Sequence, residues 1–123
     1  MTVATIKLKR VYDPTSRADG ERILVERLWP RGVSRAKLHL NAWLKDVAPS
    51  TELRGWFGHD PAKWSRFRLK YFRELDAEPE SWTPIVSAAT RGRVTLLYSS
   101  RDTDRNNAVA LRQYLLPKLR RRT

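Results

Sequence analysis

Residues 94–98 read VTLLY, a run without a charge that stops at SSRD, residues 99–102. A strand with one wet face alternates apolar and polar side chains, so this continuous run fits a central strand covered on both faces. A strand of that kind belongs inside a mainly parallel sheet, which requires flanking strands and helical crossovers from the rest of the chain.

Upstream, residues 61–75 place Trp64, Phe67, Tyr71 and Leu75 at intervals of three and four, the stripe of a helix facing a core. Lys63, Arg66, Lys70 and Arg73 form a second stripe, centred more than about 120° away at 100° per residue, so the cations point to solvent. A further helix over residues 80–90 should stop near Arg91 and Gly92, where glycine suits a left-handed cap. Downstream, Ala108, Leu111, Leu115 and Leu119 share one helical face, and Pro117 should end or bend that helix.

The N-terminal half supplies the other strands. TIKLKRV, residues 5–11, alternates around Ile6 and Leu8, and the turn-rich YDPTSRADG follows. Residues 22–29 read as a second strand closed by Pro30, which cannot donate to a ladder. Ser34 is placed to cap a helix over residues 35–47, with His39 as a mid-helix structural residue and Pro49 as the stop. Ser50 caps the short TELRGWF, and Asp60 before Pro61 is the cap and first position of the next helix. The expected fold is a small three-layer α/β domain with a mainly parallel sheet flanked by helices. Residues 1–117 are expected to form that single domain and 118–123 a basic tail carrying Lys118, Arg120, Arg121 and Arg122.

Composition narrows the chemistry. The absence of cysteine excludes disulfides, thiol catalysis and thiolate metal sites, and two histidines without a carboxylate triad speak against a catalytic metal; no cofactor is expected. No apolar run reaches the roughly 18 residues of a membrane span, and MTVATIKLKR lacks the apolar segment of a signal peptide, so a cytoplasmic location away from membranes is expected. A net charge of +12 points to anionic partners: a small anionic molecule, a phosphate group or nucleic acid.

In open parallel sheets ligands bind beyond the carboxyl ends of the strands. Two segments occupy that position, residues 27–32 and 99–107. Arg27, Arg31 and Arg101 can grip phosphate or carboxylate with paired N–H groups, and Ser99 and Ser100 add hydroxyl donors beside a helix N-terminus. His59, in the loop GHDP, is the candidate acid or base, with Asp60 or Asp102 orienting partners. Each has a structural alternative. Asp102, Thr103 or Asp104 would cap the last helix, Trp29 and Pro30 would close a strand corner, and Arg27 would pair with Glu26 or Asp46. If the site exists, Arg27 or Arg31 should lie within direct or one-water reach of residues 99–102.

Three stretches, RLWPRG (27–32), LKDVAPSTELRGWFGHDP (44–61) and VTLLYSSRD (94–102), resemble the YeaO-like family of small bacterial proteins, a domain of unknown function. The similarity runs over about residues 7–116 and implies a compact α/β fold, with no activity to carry over. Its recurring positions match Arg27, Trp29, Arg31 and Gly32, then Trp56, Gly58, His59, Asp60 and Pro61, then Arg101 and Asp102. Where relatives often continue His-Asn-His-Ala, this chain has Arg105, Asn106, Asn107 and Ala108. Asn107 keeps hydrogen-bonding capacity but is no base near neutral pH, which moves weight from catalysis to binding. Arg105 at a helix start is unfavourable unless an anion sits close by.

Three functions compete on these grounds. The first is a pocket for a phosphate or nucleotide-like anion, held by Arg27, Arg31, Ser99, Ser100, Arg101 and Asn107. The alternative is a non-specific nucleic-acid module using Lys63, Arg66, Lys70, Arg73 and the basic tail, with strongly salt-dependent affinity. The third is a basic interaction domain without a ligand.

Overall fold

The computed structural model describes residues 6–122. Thr5, expected to open the first strand, and Thr123 lie outside them, as do the side chains of Arg121 and Arg122. In chain order the elements are β1 (Ile6–Arg10), β2 (Glu21–Leu24), α1 (Arg35–Leu38), β3 (Ala42–Trp43), α2 (Thr51–Phe57), α3 (Trp64–Ala77), α4 (Pro79–Arg91), β4 (Val94–Tyr98) and α5 (Asn107–Arg122). The four strands form one sheet in the order β1-β4-β2-β3, and every neighbouring pair is parallel. The chain is thus a small α/β domain.

All five residues of β4 are buried, as a strand flanked by β1 and β2 and covered on both faces must be. Register assigns its side chains to two unlike environments. Val94, Leu96 and Tyr98 join Ile6 and Ile23 in a large core built with Leu53, Phe67, Tyr71, Ile85 and Leu111 from the longer helices. Leu97 and Leu24 face the other way, into a small cluster with Val11 and Leu38 that Trp29 and Trp43 cover. The outer layers are therefore unequal: α2 to α5 on one face, and the single turn of α1 with loops on the other.

The thin face holds a buried ion cluster. Arg22 and Thr95 are paired in register, and both reach the turn at residues 17–19. Arg22 donates to a carboxylate oxygen of Asp19 and twice to the Leu38 carbonyl, at 3.1 and 2.9 Å. Lys9 donates to Asp19 at 2.9 Å, and the Thr95 hydroxyl donates to the Asp19 carbonyl at 2.7 Å. Each buried charge thus has a partner of opposite sign, which is what makes its burial tolerable.

Several boundaries differ from the sequence reading. The second strand, expected over residues 22–29, ends at Leu24. The helix expected over 35–47 is only one turn, because His39 takes a left-handed conformation (φ 51°) and the chain turns back to the exposed edge of β2. There Asn41 N–H donates to the Arg22 carbonyl, its side-chain oxygen accepts from Arg22 N–H, and Leu44 N–H donates to Leu24, so edge pairing outcompetes the helix. His39 is consequently a cap rather than a mid-helix residue. Gly92 ends α4 in an extended conformation (φ 170°) instead of the left-handed one. The last helix continues through Pro117 to Arg122, with Leu119 buried, so the proline does not end it. The caps at Ser50 and Asp60 form as read, each accepting a backbone N–H.

Candidate functional site

β4 delivers Ser99 and Ser100 to the carboxyl edge of the sheet. Extending the β2–β4 register two residues beyond Leu24 and Leu97 sets Glu26 beside Ser99. The contact is made: Glu26 Oε1 accepts the Ser99 N–H at 2.8 Å and the Ser99 hydroxyl at 2.9 Å. From β1, Arg10 Nε donates to the Ser100 carbonyl at 2.9 Å. A carboxylate and a guanidinium from the two neighbouring strands therefore hold the loop, each matched to the backbone polarity it meets.

Asp102 organises the next turn. One carboxylate oxygen accepts N–H bonds from Asp104 and Arg105 at 2.9 and 3.0 Å, and these bonds hold its carboxyl below the usual carboxylate range. An acceptor so bonded serves first to close the turn between Asp102 and Arg105. The cap of α5 is Asn106, whose side chain accepts Val109 N–H at 2.9 Å; Asp102, Thr103 and Asp104 do not have that role. Asn107 donates to the Val25 carbonyl at 2.7 Å and ties α5 to the end of β2.

The opposite wall is α2. Its start is anchored by Glu74, which accepts from Ser50 N–H at 2.9 Å and from the Ser50 hydroxyl at 2.6 Å. Arg27 donates to the Ala48 and Pro49 carbonyls at 3.0 and 3.3 Å. The helix closes at Gly58 and His59, which are both left-handed (φ 54° and 58°). A non-glycine residue in that region costs of order 1 kcal/mol. His59 is exposed, makes no hydrogen bond among the described residues, and lies 6.1 Å from the Phe57 ring, centroid to centroid.

Between these walls is a cavity of about 760 Å³, within the range of small-molecule sites. Of the residues singled out in the sequence, His59, Ser99, Ser100, Arg101, Asp102 and Asn107 line it. Phe57 and Phe67, stacked at 4.3 Å, give it an aromatic floor. Arg27, Arg31 and Asp60 are not in the lining. Arg27 is spent on α2, Asp60 caps its helix, and neither arginine side chain is bonded to residues 99–102 among the described residues. Glu26 and Arg54 line the cavity and were not singled out. The formal charges of the lining cancel, with Arg54 and Arg101 against Glu26 and Asp102.

The basic stripe of α3 is partly engaged. Lys63 and Lys70 lie over the Trp56 ring at 5.2 and 4.9 Å, and Lys63 also donates to the Trp56 carbonyl, while Arg66 and Arg73 remain exposed. Among the described residues no cluster of three or more His, Cys, Asp or Glu could hold a metal, and no helix is long and apolar enough to cross a membrane.

Fold and cavity define a small parallel-sheet α/β protein with a ligand-sized pocket at the carboxyl edge of its strands. The chain belongs to the family described as the inactive DUF488-N3 subclade, whose model matches residues 5–123, and it is YeaO-like. It is 42% identical over 110 residues to the uncharacterized protein YeaO of Escherichia coli (strain K12), spanning 89% of this chain and 96% of that protein. It is 34% identical over 110 residues to the uncharacterized protein Rv3073c of Mycobacterium tuberculosis (strain ATCC 25618 / H37Rv), spanning 89% of this chain and 92% of that protein. No solved structure matches.

Proposed function

We propose that the chain binds a small anionic ligand, phosphate-bearing or nucleotide-like, in the cavity between α2 and the loop after β4. The observation that carries this reading is the presence of Arg54 and Arg101, which have no carboxylate partner among the described residues, together with Ser100 and the start of α5 around one cavity. Binding is placed ahead of catalysis. The family is described as inactive, and Asp102 is committed to its own loop. His59 would then contact the ligand rather than move a proton. Titration calorimetry with inorganic phosphate and with adenosine monophosphate tests the reading. Arg54→Ala with Arg101→Ala should weaken binding by roughly tenfold or more; unchanged affinity, or no binding of any phosphate compound, overturns it.

The second reading, non-specific nucleic-acid binding, is favoured by the +12 charge and by exposed Arg66 and Arg73, which have no ion pair among the described residues. Engagement of Lys63 and Lys70 on Trp56 halves the stripe available to it. Replacing Arg66 and Arg73 by Ala should lower the slope of log affinity against log salt by about one per lost phosphate contact. Absent or salt-independent binding of DNA and RNA removes this alternative.

A further inference from the structure

Resting on the anion-pocket reading, we propose that Glu26 is a specificity-determining residue that selects a nucleoside monophosphate carrying an exocyclic amine. The cavity is polarised in depth: Arg54, Arg101 and His59 are exposed at its rim, Glu26 is half-buried, and Phe57 and Phe67 are buried in its floor. Glu26 Oε1 is occupied by the Ser99 N–H and hydroxyl, whereas Oε2 has no partner among the described residues. A carboxylate oxygen open to the cavity is hydrated, and a ligand that displaces that water must bring a donor of its own.

The charge balance of the lining sets the other end of the ligand. Two arginines match one phosphate monoester, and the carboxylates of Glu26 and Asp102 disfavour the further charges of a polyphosphate. Inorganic phosphate satisfies the rim but leaves the floor and Glu26 Oε2 without partners. A flat heteroaromatic base fits against the apolar part of the lining, where Pro49 and Gly55 adjoin the accessible edges of Phe57 and Phe67, and can carry an amine to Oε2. Because Oε1 already accepts two bonds, a single amine at Oε2 fits better than a two-pronged donor such as guanine.

Adenosine and purine riboside monophosphates differ at the decisive atom: the first presents an amine at C6, the second only a C–H that offers Oε2 no donor. Calorimetric titration of the unaltered chain should find the adenine nucleotide bound roughly tenfold or more tightly than the unsubstituted purine one. Glu26→Gln keeps an acceptor for Ser99 and offers an amide donor, so it should erase or reverse that preference. Arg101→Ala should weaken both nucleotides by the same factor. Equal affinities for the two nucleotides on the unaltered chain overturn the role of Glu26 and leave the anion pocket standing. Failure of both nucleotides and of phosphate to bind overturns the pocket itself. Since the nucleotide comparison needs no variant, poor folding of Glu26→Gln leaves the test decisive.

Discussion

Glu26 Oε1 accepts both the backbone N–H and the side-chain hydroxyl of Ser99, at 2.8 and 2.9 Å, and so joins the chain beyond β2 to the chain beyond β4. The loop it holds is also gripped by Arg10 through the Ser100 carbonyl. Three strand ends therefore meet in one hydrogen-bonded rim, and the cavity wall is tied to the sheet rather than built on a free loop. The Trp43 indole adds to this by donating to the Glu26 carbonyl at 2.7 Å.

Removal of the carboxylate should loosen that rim. Glu26→Ala leaves the Ser99 N–H without its acceptor and should cost about 1–3 kcal/mol, towards the lower end because Glu26 is half-buried. Glu26→Gln retains an acceptor and should cost less than about 1 kcal/mol. Urea unfolding midpoints compare the two. An alanine variant as stable as the parent would mean that water replaces the carboxylate at no penalty.

The sequence disclosed the parts of this site that obey local rules. β4 is legible because a strand buried on both faces needs an uninterrupted apolar run, and Ser50 and Asp60 are legible because caps are local chemistry. Glu26 escaped because its partner is set by register, and its neighbours Arg27 and Arg31 drew attention as cations. The useful signal was positional: Glu26 and Ser99 are each the first polar residue after an apolar strand run. The loss of the helix over 35–47 has a similar cause, since the demand came from the unpaired β2 edge at Arg22 and not from residues 35–47 themselves. Asn106 won the cap position over Asp102 because Asp102 closes the preceding turn.

Asp19 should make stability depend on acid. Burial pulls its carboxyl up, but hydrogen bonds from Lys9, the Ser16 backbone and Arg22 outweigh that, and its folded value lies below the ordinary 3.8. The unfolded chain thus binds its proton first as pH drops. The stabilisation from Asp19 is complete above the ordinary value and is lost as pH falls through the depressed one. Asp19→Asn should cost about 3–5 kcal/mol at neutral pH by stranding buried Arg22, and should flatten the acid limb of the stability profile. Urea titrations across the acid range check both effects, and a parallel acid limb in the variant would assign the pH dependence to other carboxyls.

Gly20 and Gly32 separate steric from conformational demands on a glycine. Both have positive φ, at 64° and 73°. A Cβ at Gly20 would lie 2.2 Å from the Arg93 carbonyl oxygen, which also accepts the Glu21 N–H, whereas a Cβ at Gly32 meets nothing within 4 Å. Gly32→Ala should therefore show only the left-handed penalty of about 1–2 kcal/mol. Gly20→Ala must also push β4's leading residue away from β2 and should cost more than that, or prevent folding. Thermal unfolding of the two variants decides, and equal losses would refute the close approach.

Leu119 tests whether the chain beyond Pro117 belongs to the core. Pro117 removes one backbone donor from α5, yet the helix continues and buries Leu119 to 2% exposure. Lys118 lies over the rings of Trp82 and Tyr114 at 4.9 and 4.6 Å, so two successive residues after the proline have partners on the body of the protein. Leu119→Ala should destabilise by about 2–5 kcal/mol, the range for emptying a buried leucine site. Lys118→Ala should cost less, about 1 kcal/mol, as for a half-buried cation over an aromatic ring. Chemical denaturation measures both losses. A Leu119→Ala chain within about 0.5 kcal/mol of the parent, the scale of a surface change, would show that this turn frays from the core in solution.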